Sequence, residues 1–348
     1  MTQYLSDKLK VLSFISIMLV LYIHSDFKEQ DILGMFWNNK IQVIISEMIG
    51  RCAVPLFYII SGFLFFLNVP NGLNSIYKKM KKRVKTLLIP YVVGCLFFVV
   101  FSFLVAIVPG TSKFINNSIL PLFHESYLKI LTSIFYDAGT GVPCAFQLWF
   151  LRDLILIVST APIWYIGLKK LKCFLVIIIG ALTFLPISYL PLYALFWFLL
   201  GGQLTFHVNK LYDFKLGKIC MGLFIIVSFL QLLYPDSLNW KLFRIPSIII
   251  GIAGFWFLYD KIAGKNYVLK EYRWLSLSCQ YTFFIYLFHE PTLNIIRKLI
   301  VFILGHNAFG YFLSYLISPI IFAIVAIYIG VVFKTYIKNV YFLCTGGR

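Results

Sequence analysis

From Thr86 to Pro109 the chain carries no charged side chain, and a run of that length can cross a bilayer as a helix. Nine further apolar runs lie at about 9–25, 41–67, 147–167, 173–188, 190–206, 218–234, 244–260, 275–291 and 309–333. Hydrophobic residues make up 61% of the chain, against roughly 45–50% in soluble globular proteins, so a soluble fold is excluded. In lipid every backbone amide must be paired within its own segment, which for runs of this length means helices. The expected fold is an all-α polytopic transmembrane bundle of about ten spanning helices. No repeat, linker or low-complexity tract divides it, so residues 1–348 read as a single domain. The first run follows Lys8 and Lys10 and shows no small-residue cleavage pattern after His24, and it reads as a retained span.

The formal charge of +18 would point to nucleic acid in a soluble chain. Here the lysines cluster in the loops between apolar runs, so they report orientation in the lipid bilayer and no nucleic-acid partner is expected. With a cytoplasmic N-terminus, inside segments hold 21 of the 31 lysines and arginines, outside segments 8, and Arg51 and Arg152 lie within spans. Both termini are therefore expected in the cytoplasm. The seven cysteines are scattered singly, without a CxxC pair or a histidine at metal-ligand spacing, so neither a metal site nor a disulfide framework is expected.

That orientation places chemistry by depth. His24 ends the first span on the outer side. Glu47 and Arg51, one turn apart in the second span, share a face there. Gln147, Arg152 and Asp153 open the fourth span, and His289 and Glu290 close the ninth. A charge in hydrocarbon costs about 2.5–3.5 kcal/mol on insertion scales, so such residues normally face a cavity or one another. Each group has a plain structural explanation: an ion pair for Glu47 and Arg51, an interhelical clasp for the adjacent Arg152 and Asp153, a helix end before Pro291 for His289. Their convergence on one leaflet is better explained by a polar reaction chamber. On the cytoplasmic side, six positive charges within Lys78–Lys85 would attract anionic lipid headgroups or hold the phosphates of a nucleotide-bearing donor. The longest outer loop, 110–146, reads as an ordered cap or a mobile lid. His124, His207 and His306 fall in loops or at their edges and receive no role.

Several separated segments resemble the acyltransferase-3 family of integral-membrane acyltransferases. LKVLSFISIMLVLYIHS is similar to the family's opening helix, and the stretch from Arg51 to Leu64 to its VPLFFxISGFLL signature. KKRVKTLLIPY, QLWFLRDLI and FFIYLFHEP resemble the basic segment before LLIPY, the LWFLRxL helix and the IYLxH span, in the family's order. The resemblance implies ten helices and transfer of an acyl group, usually acetyl from acetyl-CoA, across the membrane to a hydroxyl of a cell-surface glycan or lipid-linked sugar. It assigns the general base to His24 and the acyl-CoA donor to Arg83 with its neighbours, in a bacterial inner membrane. Two positions depart from the family pattern: Lys10 replaces an arginine, and Thr86 follows Arg83 where a second arginine is usual. Lys82 and Lys85 then serve as point charges for the donor.

Chemically, an acceptor hydroxyl must lose its proton as it attacks a thioester, and a histidine suits that exchange. Glu47, Asp26 and Glu290 are all candidates for orienting its ring, and Arg51 or Arg152 for stabilising the oxyanion. Direct transfer is the expected course, with an acyl-histidine as the alternative. The rival function is a transporter or flippase for a glycan or small anion, since intramembrane Arg, Asp and His also mark translocation routes; the inverted repeat such proteins carry is missing. A weaker third reading is a sensor or scaffold. The acyltransferase reading requires a route for the pantetheine arm between the level of Arg83 and that of His24.

Overall fold

In the computed structural model the described residues are 1–27, 34–69, 72–108, 126–133, 142–185, 190–207, 216–234, 240–264 and 268–347, and none of them forms a strand. Most of the loop at 110–146, including His124, lies outside the described residues.

The helices are α1 (Gln3–His24), α2 (Met35–Gln42), α3 (Ala53–Phe66), α4 (Leu73–Ile107), α5 (Tyr127–Ser133) and α6 (Trp149–Ser159). They continue as α7 (Ala161–Leu171), α8 (Cys173–Leu182), α9 (Leu192–Leu204), α10 (Gly217–Leu233) and α11 (Trp240–Ala263). The last are α12 (Arg273–Gln280), α13 (Thr282–Phe288), α14 (Thr292–Leu304), α15 (Ala308–Tyr336) and α16 (Lys338–Thr345). A π-helical stretch, Val43–Ile49, and a 3-10 turn, Gly50–Cys52, join α2 to α3.

Among the described residues, four helices are long and apolar enough to cross a membrane: Met35–Phe66, Leu73–Ile107, Phe243–Ala263 and Ala308–Tyr336. A fifth arises if α6 and α7, bent by 69° at Thr160, count as one broken span. α1 has the length but carries Asp7, Lys8 and Lys10 in its first turns. The run at 275–291 is interrupted at Tyr281. α4 is 35 residues long, about 52 Å at 1.5 Å per residue, so the basic stretch Lys78–Lys85 is a helical extension of the span and not a loop.

The chain forms two compact units, Met1–Leu67 with Phe196–Thr282 and Asn68–Leu195 with Phe283–Arg348. In the first, α1 packs against α3 and α12, and α10 against α11. α3 and α9 approach at backbone distance. A Cβ on Gly62 would lie 1.9 Å from the Phe198 carbonyl oxygen, and one on Gly201 would lie 2.0 Å from that of Ile59. Only glycine allows this reciprocal contact, which seats the fully buried Tyr58, Trp197 and Phe198.

At the N-terminal end of α1, Lys8 is 1% exposed and pairs with Asp260 at 2.7 Å, its ammonium 3.8 Å above the Trp256 ring. Lys8, counted from the sequence with the basic residues that flank the first span, is thus buried, and a carboxylate and an aromatic face replace its water. Beside it the Asp7 carboxylate accepts from Gln3, Lys10 and the Leu269 amide, tying α1 to the turn before α12.

In the second unit α4 packs against α6, α7 and α16, and α15 against α14 and α16. α14 was not anticipated, because Arg297 and Lys298 break its apolar run. The Phe284 ring meets Phe333 and Tyr341, drawing α13, α15 and α16 together.

Candidate active site

The first unit holds His24, Glu47 and Arg51. The Gly50 amide donates to the Ile45 carbonyl, five residues back, which widens the helix into its π form. The last turn of α1 rests on that widened turn. The Ser46 hydroxyl donates to the Tyr22 carbonyl at 3.0 Å, and a Cβ on Gly50 would come within 2.9 Å of the Ile23 side chain. His24 follows directly and is half-buried. Beyond it, the Phe27 amide donates to Gln42 Oε1 at 2.6 Å, and Gln42 Nε2 donates to Asn38 at 2.8 Å. The chain is thus held on both sides of His24, by the π turn before it and by α2 after it.

Glu47 and Arg51 form an ion pair, Arg51 Nε donating to Glu47 Oε2 at 2.8 Å with Nη2 on the same oxygen. The i,i+4 spacing allowed this, and Glu47 is therefore engaged by Arg51. The pair borders a cavity of about 180 Å3 completed by residues of α10 and α11, among them Gln231, Arg244 and Ser247. A larger apolar cavity, about 440 Å3, lies between α1, α11 and α12 and reaches Ile49 and Cys52 of the same irregular segment.

The second unit holds Gln147, Arg152, Asp153, His289 and Glu290. Arg152 donates from both Nε and Nη2 to Asp153 Oδ1, at 3.0 and 2.9 Å. An interhelical clasp was expected for these two neighbours; they also pair with each other, because the long guanidinium arm reaches the next side chain of the same helix. His289 and Glu290 are both buried. His289 Nδ1 lies 2.6 Å from the Tyr286 carbonyl. A carbonyl oxygen only accepts, so Nδ1 carries the proton, and in the neutral ring the Nε2 lone pair is the basic site. Gln147 joins the two helices, donating from Nε2 to the Glu290 carbonyl at 3.3 Å, while the Tyr286 hydroxyl donates to the Gln147 carbonyl at 3.2 Å. Glu290 also lies within electrostatic reach of Arg297 and Lys298 on α14.

Of the residues expected to meet the donor, Arg83 is half-buried, whereas Lys82 and Lys85 are exposed. Successive helical residues turn by about 100°, so Arg83 faces away from those two lysines and shares its side of α4 with Lys79.

Residues 7–333 match the family described as an acyltransferase domain. The chain belongs to the acyltransferase-3 family. It is 25% identical over 306 residues to the succinoglycan biosynthesis protein ExoH of Rhizobium meliloti (strain 1021), covering 83% of this chain and 78% of that protein. No solved structure matches it. As an acyltransferase-3 protein the chain is a membrane acyltransferase, and the match stops short of α16. The glycine of its ISGF segment, Gly62, is the residue at the α3–α9 contact. Arg51, three residues before the VPLF segment, is the residue paired with Glu47.

Tyr286 in the second unit, and Ser228, Gln231, Arg244 and Ser247 in the first, were not anticipated. Nothing in their local sequence sets them apart; they acquire neighbours only through helix packing.

Proposed function

We propose that this membrane acyltransferase moves an acyl group, most readily acetyl, from cytoplasmic acyl-CoA to a hydroxyl of a cell-surface glycan or lipid-linked sugar, with His24 as general base. The observation that carries the proposal is the seating of His24: the α1 terminus lies against a π turn bearing an arginine–carboxylate pair, in a chain of acyltransferase lineage. A glycan acceptor is supported by the likeness to a succinoglycan biosynthesis protein.

In this scheme His24 takes the proton of the acceptor hydroxyl as its oxygen bonds to the thioester carbonyl carbon. Arg51 or Arg152 stabilises the oxyanion. The carbon–sulfur bond then breaks, and the coenzyme thiolate leaves with the proton returned by the imidazolium. Arg83 holds a donor phosphate by paired hydrogen bonds, and Lys82 and Lys85, on the other side of α4, act as point charges that draw the anionic donor to this end of the helix. Ten crossings with both termini in the cytoplasm of a bacterial inner membrane fit the charge bias of the loops.

The test is acyl transfer by the purified full chain from labelled acetyl-CoA to bacterial surface polysaccharide, comparing wild type with His24→Ala. Loss of at least a hundredfold in transfer, with the variant still eluting as a single species, is expected. Undiminished transfer by the variant removes His24 from the mechanism. Glycan movement into proteoliposomes without coenzyme A release would establish transport instead.

A further inference from the structure

The cavity beside the Glu47–Arg51 pair differs in chemistry from the apolar groove on the other side of the same segment. Its polar wall comes from three elements: Glu47 and Arg51 on the π and 3-10 turns, Ser228 and Gln231 on α10, and Arg244 and Ser247 on α11. Phe243 supplies an aromatic surface and Val227 and Ile248 an apolar one. We infer that this cavity is a subsite for one sugar residue of the acceptor glycan; the inference rests on the acyl-transfer proposal and names the place where that acceptor is held.

Size and chemistry select a sugar over the other ligands a membrane protein meets. At about 180 Å3 the space is smaller than the roughly 300–1,000 Å3 of drug-sized ligand sites, and it suits one pyranose ring, not a nucleotide. A lipid tail offers no hydrogen bond to a wall built from carboxylate, guanidinium, amide and hydroxyl groups, whereas a sugar does. A phosphate or sulfate would meet the Glu47 carboxylate in the same wall. A pyranose presents hydroxyls that both donate and accept around a ring whose C–H face is apolar. The wall offers the matching groups: a carboxylate that accepts, guanidinium groups that donate, an amide and hydroxyls that do both, and a phenyl ring for the C–H face. Arg51 Nε and Nη2 both donate to Oε2 of Glu47, and the carboxylate's second oxygen is the acceptor this reading gives to a sugar hydroxyl.

Placement agrees with this use. Ser46 and Gly50 seat the end of α1 that carries His24, and the next residues along the chain, Glu47 and Arg51, line the cavity. A sugar held there is positioned by the same turn that positions the base. The Lys40 ammonium donates to the Leu232 carbonyl at 3.3 Å, tying α2 to the end of α10 that carries Gln231.

The experiment uses the full chain in detergent micelles and two probes, methyl β-glucoside and methyl β-galactoside. Saturation-transfer NMR should show at least one glycoside bound, with the signal reduced at least fivefold in Gln231→Leu and in Ser247→Phe. The first variant removes hydrogen bonds at nearly constant volume, and the second fills the cavity. With acetyl-CoA present, both should raise the acceptor KM about tenfold, a larger change than in kcat. No glycoside signal in the wild type, or a signal untouched by both variants, overturns the subsite while leaving acyl transfer standing if coenzyme A release persists. Glycoside binding that depends on Gln231 and Ser247 in a protein with no coenzyme A turnover supports the subsite and sinks the acyl-transfer proposal.

Discussion

The Ser46 hydroxyl donates to the Tyr22 carbonyl at 3.0 Å, so the last turn of α1 hangs on the π turn that presents Glu47. Ser46 is 1% exposed, and water cannot replace the bond if the hydroxyl is removed. Ser46→Ala should cost about 1 kcal/mol of stability, the ordinary net worth of such a bond. Because His24 lies two residues beyond Tyr22, kcat for acyl transfer should fall by about three- to tenfold with the donor KM unchanged. Ser46→Thr, which keeps the hydroxyl, should recover most of the rate. Steady-state kinetics on the three proteins decides it, and an unaltered kcat in Ser46→Ala would detach the π turn from catalysis.

The α3–α9 contact makes a prediction about folding. Alanine at Gly62 places a methyl 1.9 Å from a backbone carbonyl, and no side-chain movement relieves that overlap. The helices must separate, uncovering Trp197 and Phe198, at a cost of about 3 kcal/mol or more. Gly62→Ala should therefore lose most of its monodisperse yield in detergent. Gly222→Ala, where nothing lies within 4 Å of the new methyl, should purify as wild type. Equal yields of the two would show that α3 and α9 do not need their close approach.

What could be read from the chain before its structure follows the range of the interactions concerned. The helical, membrane-embedded class was plain because it depends on local apolar length, as in the run through α4. The Glu47–Arg51 pair was legible because one turn of helix brings i and i+4 together whatever the tertiary fold. The contact between Arg152 and Asp153 was missed because a rule about helix faces speaks of Cβ directions, and an arginine is long enough to bend back past its own. The environment of Lys8 was hidden because its partner, Asp260, lies 252 residues away. α14 was missed because a helix of 13 residues is too short for a span, and Arg297 and Lys298 made it look like a loop. The cavity lined by Gln231 and Ser247 was invisible because those residue types carry no signal until packing faces them toward one space.

Asp7 gives a pH dependence. Burial alone would raise its pKa, but hydrogen bonds from Gln3 and Lys10 and from the Leu269 amide outweigh that and hold it below its ordinary 3.8. A carboxylate lowered on folding stabilises the fold above the unfolded-state pKa and loses that contribution as pH falls through the folded-state value. Asp7→Asn should therefore be less stable than wild type near neutral pH, and the gap should close as the solution is acidified below about pH 4. Thermal unfolding of both proteins across that range is the measurement. A gap that stays constant, or widens in acid, would show that the charge of Asp7 does not hold α1 to the turn at Leu269.

His289 separates a structural from a chemical role within one side chain. Its Nδ1–H is spent on the Tyr286 carbonyl at 2.6 Å, a bond that fixes the ring and directs the basic lone pair to Nε2. Asparagine at this position sets its amide N–H near Nδ1 and can keep the bond to Tyr286, but it has nothing at Nε2. Alanine removes both. If His289 only holds α13 to the turn before α14, His289→Asn should match wild type in stability and in rate, and only His289→Ala should fail. If Nε2 accepts or relays a proton, His289→Asn should keep its melting temperature within a few degrees while kcat falls by about a hundredfold or more, the range for loss of a positioned proton-transfer group. The second outcome is expected, because α13 is already anchored through the Tyr286 hydroxyl to Gln147 and through Phe284 to α15 and α16. A structural peg would be redundant there.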